Sequence, residues 1–311
     1  MSACHDQFNK LFEISTFCSQ LLFATHWYGF IPTVENGYVS VITKERNQHN
    51  FDLIDISRYR ESIKQYVSRS KGKLPYDVRL KSLNDFIQSI ITSILSDHPY
   101  NWVICEGSSE KIYFEEYFAD IKEKIKLRII PVGGAKEIKK IYEYLKVTYE
   151  DLKDEIRGNI ILISDTDSQL VHYTTKKEKH LKCYRIVNDT SKQKTTLVQV
   201  DSNPSSPETE IENSLNGKIF FKALKEFENN FPKLLEITQQ IEKDQIKTQK
   251  KEKESYFYLD LSPSQNQILD DFFNINNNKI NFAKKYVEIM KIYKEFKVPE
   301  WIQQIKEELL V

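Results

Sequence analysis

The chain has 311 residues and a mass of 36.8 kDa, which is enough for two or three domains with a substantial core. Hydrophobic residues make up 40% and charged residues 29%, as in an ordinary globular protein. Basic and acidic residues balance at 45 each, so the overall charge gives no indication of a nucleic-acid partner, and any such argument must rest on local charge.

The cysteines and the first residues exclude several classes of protein. The four cysteines are scattered without a C-x-x-C pair, so neither a disulfide framework nor a zinc site is indicated. The start "MSACHDQFNK" lacks the basic and apolar parts of a signal peptide. No stretch approaches the ~18 consecutive apolar residues of a membrane span. We therefore expect a cytoplasmic protein without a membrane partner.

The first hundred residues predict mixed structure. Residues 11–28 indicate a short helix followed by an apolar strand, "LLFAT". Two short strands follow, in "GYVSVIT" and "NFDLIDI". Residues 56–97 have apolar residues at helical spacing.

From residue 101 onwards strands and helices alternate. The predicted order is the strand "WVIC", the helix "EKIYFEEYFADI", the strand "LRIIPV", the helix "AKEIKKIYEYL" and the strand "NIILIS". This order favours a parallel sheet with crossover helices, and strands so continuously apolar are typical of burial on both faces. Two more strands, "KCYRIV" and "TTLVQV", precede a helical region after about residue 214, which polar runs such as "NINNNK" interrupt.

Acidic residues follow two of the predicted strands. Glu106 comes directly after "WVIC", Asp165 and Asp167 come after "NIILIS", and Glu110 lies one helical turn beyond Gly107. Functional groups of an open parallel sheet collect at the carboxyl ends of its strands. Converging carboxylates are unfavourable unless a cation neutralises them, and Mg²⁺ prefers such oxygen ligands. Two such ions would suit phosphodiester hydrolysis.

Each acid also has a plainer interpretation. The first turn of a helix favours an acid such as Glu110 through the macrodipole, and Ser108 or Ser109 would cap the same helix. "DTD" after a strand is a common turn composition. It is the joint occurrence of both acid pairs at strand ends that favours a metal site.

Three motifs together resemble a known domain. "ICEGSSEKIYFEEYF", "IIPVGGAKEI" and "ILISDTDS" resemble the Toprim domain, with its Glu-Gly turn after one strand and its D-x-D after a later strand. With Glu as the second acid and the D-x-D-S form, the chain is most similar to nucleases of the overcoming-lysogenization-defect (OLD) family. The resemblance covers roughly residues 101–215. It implies a Mg²⁺-dependent nuclease, with Mn²⁺ as an alternative ion, often used in anti-phage defence.

The resemblance also implies roles for individual residues. The positions that match metal ligands are Glu106, Glu110, Asp165, Asp167 and Ser168. Gly133 and Gly134 match a small-residue turn where the backbone approaches the site. A later family acid matches "ETEIENSL", where we favour Glu212 over Glu210 because only one of two residues this far apart faces inward in an extended segment.

A lysine near the C-terminus completes the residues that the resemblance implies. "NNNKINFAKKYVEIM" resembles a family segment whose lysine stabilises transition-state charge, and Lys279 is the candidate. The alternative is a surface lysine in a chain that is rich in lysine.

An N-terminal element resembles part of ABC-type ATPases. "FATHW" is similar to a strand that ends in Thr-His, and His26 matches the histidine that contacts the terminal phosphate of the nucleotide. No G-x-x-x-x-G-K-[ST] loop is present, so the chain alone is not expected to bind ATP in that way. Either the chain is the C-terminal part of a longer ATPase–nuclease, or residues 1–98 are a remnant that packs against a partner.

A basic segment follows the D-x-D. It carries the expected nucleic-acid contacts, which are Lys176, Lys177, Lys179, Lys182 and Arg185, with Lys192 and Lys194 further on. Tyr173 and Tyr184 are candidates for base stacking, although tyrosine is abundant in this chain at 17 residues. The alternative is a solvated basic hairpin. Recognition would be mostly of the nucleic-acid backbone.

The sequence thus predicts an α/β fold with a Toprim-like parallel sheet flanked by helices. The predicted divisions are residues 1–98 as an ATPase-derived segment, 99–215 as the catalytic domain and 216–311 as a helical segment. The expected function is Mg²⁺-dependent endonucleolytic cleavage of DNA, favoured over RNA, with an ATPase as partner. The alternatives are a non-catalytic or conditionally silent ATPase-partner module, and phosphomonoester chemistry of the D-x-D kind.

Overall fold

A five-stranded sheet forms the centre of the protein. The computed structural model describes residues 2–24, 37–45, 47–55, 76–167, 170–202, 206–247, 251–275, 277–293 and 295–311. Its strands are β1 (Tyr38–Glu45), β2 (Gln48–Asp55), β3 (Asn101–Cys105), β4 (Leu127–Pro131), β5 (Ile160–Ser164), β6 (Leu181–Asp189) and β7 (Lys194–Gln199). The central sheet has the order β4-β3-β5-β6-β7. Strands β3 to β6 are parallel and β7 is antiparallel, so the expected parallel sheet is confirmed.

Helices cover this sheet and fill the C-terminal part of the chain. The described helices are α1 (Ser2–Ser15), α2 (Tyr76–Ile94), α3 (Ser108–Tyr117), α4 (Ala119–Lys122), α5 (Ala135–Leu152), α6 (Gly217–Lys225), α7 (Leu234–Lys247), α8 (Ser255–Leu259), α9 (Pro263–Asn274), α10 (Asn278–Ile292) and α11 (Glu300–Leu309). A 3₁₀ turn at Ile211–Asn213 precedes α6. The helical C-terminal region predicted from the sequence is therefore present.

The central strands are buried on both faces because successive side chains point to opposite sides. Val103 and Ile161 pack with α3 and the C-terminal helices in one continuous core. Trp102 and Leu162 pack on the other face with α2 and α5. The Trp102 indole N–H donates a hydrogen bond to the Ser93 hydroxyl at 3.0 Å, so its polar atom is also satisfied inside the core. The C-terminal helices thus share a core with the sheet.

The strands that follow β3 in the sequence lie on both sides of it in the sheet, first β4 on one side and then β5 on the other. Helix α3 leads from β3 to the neighbouring β4, whereas α5 crosses back over β3 on the opposite face to reach β5. In open parallel sheets, ligands bind in the crevice at such a switch point, outside the carboxyl ends of the strands. Glu106 follows β3 and Asp165 follows β5, so both lie at this crevice.

The N-terminal strands form a separate antiparallel hairpin, β1–β2, in which Ile42 pairs with Phe51. A strand was also predicted in "LLFAT", residues 21–25. This prediction is wrong for residues 21–24, the part that the structure describes, because they form no regular secondary structure. Their apolar run has no neighbouring strand to pair with among the described residues. Within the same described ranges, no helix has the length and apolarity needed to cross a membrane.

Candidate metal centre

Glu106 is held at the end of β3 by the glycine turn after β4. Its carbonyl oxygen accepts hydrogen bonds from the N–H groups of Gly133 at 2.7 Å and Gly134 at 3.1 Å. Both glycines have positive φ angles, 86° and 116°. Residues with a Cβ atom rarely adopt such angles, whereas glycine adopts them without steric cost. Its carboxylate Oε1 accepts a hydrogen bond from the Asp165 backbone N–H at 2.9 Å. The turn therefore fixes Glu106 against the end of β5.

Glu110 folds back over the start of its own helix, α3. Its Oε1 accepts from the Gly107 N–H at 3.0 Å, and the Ser109 hydroxyl donates to its Oε2 at 2.9 Å. The side chain is 7% exposed. Glu110 thus caps the helix, as the plainer interpretation of the sequence suggested, and is buried beside the other acids at the same time.

The D-x-D segment is tied to a distant part of the chain. Thr166 and Thr209 exchange backbone hydrogen bonds, with N–O distances of 2.9 and 2.8 Å, and the Thr166 hydroxyl donates to the Ile186 carbonyl at 2.6 Å. This bridge brings the turn at residues 211–213 next to Asp165, which is partly buried. Asp167 is exposed. Ser168 lies outside the described residues.

The structure separates the two competing acids of "ETEIENSL". Glu212 is 2% exposed, whereas the Glu210 side chain is 44% exposed and pairs with Lys279. No hydrogen bond of normal geometry reaches the buried Glu212 Oε1 from any described residue. The Tyr113 hydroxyl is buried near this carboxylate and likewise has no hydrogen bond of normal geometry within the described residues. Glu212 is therefore the acid that faces the interior.

Lys279 lies in the first turn of α10 and places its positively charged ammonium group beside the acids. Its Nζ lies 2.7 Å from Glu210 Oε2. Helix α10 is fixed by Tyr286, whose hydroxyl lies 2.6 Å from the Tyr117 hydroxyl and accepts from the Asn216 N–H at 3.1 Å. Lys279 thus lies at the acid cluster although it follows Glu106 by more than half of the chain.

The carboxylates raise one another's pKa values. Burial, followed by the charges of Glu110 and Glu106, raises the pKa of Asp165 well above its usual range. Burial also raises the pKa of Glu106 to about 7, with Glu110 and Asp167 adding to the rise, and burial raises that of Glu212 to about 7. Burial opposes the charged form of Lys279, but Glu212 and Glu210 outweigh it and raise the pKa of this lysine.

These residues fit a hard divalent cation by their chemistry. The donors are carboxylate oxygens, the ligands that Mg²⁺ prefers, and the unpartnered Glu212 Oε1 lacks the donor or cation that a buried oxygen requires. As the side chains stand, no three His, Cys, Asp or Glu side chains of the described ranges are close enough to hold one ion. Glu106 and Glu110 direct oxygens to backbone N–H groups, so binding an ion would require these side chains to turn.

A family model decides which domain this is. Residues 100–167 match the model described as "Overcoming lysogenization defect protein-like, TOPRIM domain". The chain contains an OLD-like Toprim domain. Neither the comparison with curated proteins nor the comparison with solved structures gives a match. The resemblance inferred from the sequence is confirmed, and the ATPase-derived segment stays a prediction.

An OLD-like Toprim domain indicates a nuclease-type or metal-binding function, and nucleic acid as the kind of substrate. Toprim domains generally bind divalent ions such as Mg²⁺. The matched region contains Glu106, Glu110, Asp165 and Asp167. Glu212 and Lys279 lie beyond it, so their place at the site rests on the geometry described above.

The basic segment after the Toprim D-x-D leads away from the acids. It runs along α5, where the Lys176 N–H donates to the Tyr142 hydroxyl at 3.1 Å and Lys176 Nζ pairs with Glu150 at 2.6 Å. Lys177 and Lys179 are exposed further along this segment. Lys182 lies at the start of β6, opposite the acid-bearing edge, and pairs with Glu308. These four lysines stay predicted nucleic-acid contacts, but none lies beside the Toprim acids.

Arg185 and the two tyrosines of this segment are not surface groups, which corrects the sequence interpretation. Arg185 is 1% exposed, and its guanidinium donates to the carbonyls of Ser202 and Val171 at 3.2 and 3.3 Å. Tyr173 and Tyr184 are buried, and the Tyr184 hydroxyl bonds the Glu308 carboxylate. Arg185 and Tyr184 are buried because β6 is covered on both faces, and Tyr173 is buried because it packs against Tyr142 of α5. His26 lies outside the described residues.

Proposed function

We propose that this chain is a Mg²⁺-dependent endonuclease that hydrolyses phosphodiester bonds, with DNA favoured over RNA and Mn²⁺ as an alternative ion. The observation that carries the proposal is the convergence of four carboxylates at the switch point of an OLD-like Toprim domain. They are Glu106, Glu110, Asp165 and Glu212. Burial and mutual repulsion raise their pKa values, which a bound cation would reverse.

Each residue then has a distinct role. Glu106, Asp165 and Asp167 hold the ion, and Ser168, which follows Asp167 in the sequence, stays a further predicted ligand. Glu110 and Glu212 complete one or two sites. A bound Mg²⁺ supplies Lewis acidity toward a phosphoryl oxygen and lowers the pKa of bound water.

Lys279 has a role that does not depend on ion ligation. It lies in the first turn of α10 beside Glu210, and the surrounding carboxylates keep it protonated. A fixed cation at this place stabilises the negative charge that develops on the phosphate in the transition state. Glu210 holds the ammonium group in position through its 2.7 Å contact.

A plasmid and an RNA substrate test the proposal. The pure chain is incubated with supercoiled plasmid or with RNA in Mg²⁺, Mn²⁺ or EDTA, and Asp165→Ala serves as the inactive variant. We expect nicking that requires the divalent ion and is lost in Asp165→Ala while the circular-dichroism spectrum stays the same. Undiminished nicking by that variant contradicts the assignment.

One observation favours the alternative of a silent partner module. Along one face of the β1–β2 hairpin, Tyr38, Ile42, Phe51 and Leu53 are each more than 60% exposed. An apolar face of this kind is typical of a docking surface. In this candidate function residues 1–98 bind an ATPase, in anti-phage defence, and the partner switches cleavage on.

The same assay distinguishes the two functions. Addition of a candidate ATPase with ATP should start cleavage by a chain that is inactive alone. Full activity of the isolated chain, unchanged by the ATPase and by ATP, argues against gating. Phosphate release from a small phosphomonoester would instead support the third chemistry named above.

A further inference from the structure

Two adjoining cavities lie along the segment from the 3₁₀ turn at residues 211–213 to the start of α6. The first, the aromatic cavity, has a volume of about 220 Å³ and is lined by Glu212, Asn213, Tyr256, Phe257 and Asn266 among others. The second, the lysine groove, has a volume of about 260 Å³ and is lined by Lys192, Lys194, Lys251, Lys253 and Lys297 together with three glutamates. Gln193 and Lys253 line both, so the two cavities share a wall.

We propose that the aromatic cavity and the lysine groove form one track for a single-stranded segment of nucleic acid. One base enters the aromatic cavity, and the adjoining phosphates lie along the lysine groove. The proposal deepens the endonuclease function and rests on it, because it states which form of substrate reaches the acids. It also replaces residues 176–182 as the contact surface nearest to the site.

The aromatic cavity suits a single base in size and chemistry. A cavity of about 150 Å³ in another protein binds benzene, so a somewhat larger one accommodates a single planar heterocycle. Tyr256 and Phe257 are partly exposed and offer aromatic faces for stacking. Asn213 and Asn266 offer amide groups that match the polar edges of a base. Glu212 lines the same cavity, so the aromatic cavity borders the 3₁₀ turn that carries this acid.

The lysine groove is basic in a chain whose overall charge is zero. Its glutamates are already engaged or shielded. Glu252 accepts from the Lys297 N–H at 2.7 Å, and Glu300 pairs with Lys194 and Lys297. Glu254 is 8% exposed, and burial raises its pKa. Five lysines against three glutamates leave the lining of the groove with a net positive charge, the sign that a phosphate backbone requires.

The lysine groove lies at the same edge of the sheet as the acids. In the parallel pairing of β5 with β6, the last residue of β5, Ser164, is level with Arg185. Strand β6 continues from there to Asp189, which pairs with Lys194 of β7. The β6–β7 turn thus extends beyond the acid-bearing edge and carries Lys192 and Gln193 with it.

The two residues shared by both cavities are hydrogen-bonded to each other. The Lys253 ammonium donates to Gln193 Oε1 at 2.6 Å. A nucleotide whose base enters the aromatic cavity and whose phosphate lies in the lysine groove has to cross this contact. In the bound state Lys253 exchanges the amide oxygen for a phosphate, which is the stronger charge-assisted partner.

Oligonucleotide binding without cleavage tests the lysine groove. The probe is a fluorescein-labelled 12-mer of single-stranded DNA, and its anisotropy is followed in EDTA with the full chain. We expect Lys194→Gln/Lys253→Gln to weaken binding about tenfold or more and to reduce the slope of log K against log salt by about 1.4, since each lost contact to single strands contributes about 0.7. The matched control, Lys124→Gln/Lys153→Gln, removes the same charge at two exposed lysines, one just before β4 and one just after α5, away from the acid-bearing edge of the sheet.

The aromatic cavity is tested with the same probe. Phe257→Ala should weaken binding of the 12-mer by about tenfold, whereas Tyr144→Ala, at an exposed tyrosine of α5, should leave it unchanged. A duplex of the same length should bind the wild type more weakly than the single strand. Melting temperatures within two or three degrees of the wild type, about the shift that 1 kcal/mol causes, confirm that each variant is folded.

Three results would overturn the track. They are equal losses in the two double-lysine variants, unchanged binding by Phe257→Ala, and tighter binding of the duplex. Failure of the endonuclease function is a separate result, because it leaves EDTA binding intact and shows no cleavage in Mg²⁺. Conversely, cleavage at the wild-type rate by the groove variants, with wild-type binding, contradicts the track alone.

Discussion

The Glu106 carboxylate accepts a hydrogen bond from the backbone N–H of Asp165 at 2.9 Å, across 59 positions of the sequence. This contact joins the carboxyl ends of β3 and β5, the two strands on either side of the switch point. It fixes the backbone of Asp165 against the Glu106 side chain, so the ends of the two strands are held together without an ion.

The stability of the metal-free protein should fall as the pH rises from about 4.5 to about 7. Burial raises the pKa values of Glu106 and Glu212 from 4.5 to about 7. In this window the folded state binds more protons than the unfolded state, so the free energy of unfolding decreases with pH. At about 1.36 kcal/mol per pKa unit, the two groups together should account for at most about 7 kcal/mol over the whole window.

Urea unfolding in EDTA at pH 5 and pH 7.5 measures this effect. The matched variant Glu106→Gln/Glu212→Gln lacks both titrating groups and should show a much smaller pH dependence, which separates their contribution from that of the rest of the chain. A wild-type protein that loses no more stability than this variant would refute the prediction.

Mg²⁺ should stabilise the wild type against heat at pH 7.5. An ion that binds the folded state alone adds about 2.7 kcal/mol at 100 times its Kd, which corresponds to several degrees in Tm. Glu212→Gln should reduce the shift because it removes the charge of a buried carboxylate whose Oε1 has no hydrogen bond of normal geometry from the described residues. Glu236→Gln, at an exposed acid of α7, is the control, and Mg²⁺ should raise its Tm by as much as it raises that of the wild type. A shift in Glu212→Gln equal to that of the control would exclude this acid from the site.

Lys279 should be essential for the rate of cleavage. Lys279→Met should lower kcat by about 10²–10³-fold, because removal of a fixed group that stabilises transition-state charge has this cost. Lys279→Arg keeps the positive charge and should retain more activity than the methionine variant. Lys284→Met, at an exposed lysine on the same helix, is the matched control. Equal cleavage rates of the Lys279→Met and Lys284→Met variants would show that Lys279 is a surface lysine after all.

Tyr286 should stabilise the attachment of α10 to the Toprim domain. Tyr286→Phe removes the partner of the Asn216 N–H and of the Tyr117 hydroxyl, both buried, which should cost about 1–3 kcal/mol of unfolding free energy. Tyr144→Phe, at a tyrosine that is 45% exposed, should change stability by less than about 0.5 kcal/mol. Chemical denaturation compares the two, and equal stability of both variants would contradict the role of Tyr286.

The sequence predicted the parts of this structure that depend on short-range pattern. Apolar runs bounded by turn residues marked β3, β4 and β5, and the order of the elements implied that their carboxyl ends meet. Glu106 and Asp165 were found for that reason, since residues at strand ends of a parallel sheet converge whatever their separation along the chain. Gly133 and Gly134 were named from the resemblance to the family's small-residue turn, and their positive φ angles give the physical reason for glycine there.

Features that depend on the packing of distant elements were not predictable in the same way. Arg185 was assigned to a basic surface because its neighbours along the chain are lysines, whereas its strand is covered on both faces. Nothing local indicates that residues 170–180 run back along α5, since that path is set by contacts such as the one between Tyr142 and Lys176. The groove lysines Lys251, Lys253 and Lys297 meet only after the C-terminal helices have packed.

The most direct measurement of the central claim is the rate of plasmid nicking by Asp165→Asn in Mg²⁺. The substitution keeps the shape of the side chain and the backbone N–H that Glu106 accepts from, and it removes one of the repelling charges. Asp151→Asn, at an exposed acid of α5, is the control. We predict that Asp165→Asn is at least about 100-fold slower than the wild type, while its melting temperature in EDTA is equal or higher. Nicking by Asp165→Asn at the rate of the control would contradict the claim that these acids form the metal centre.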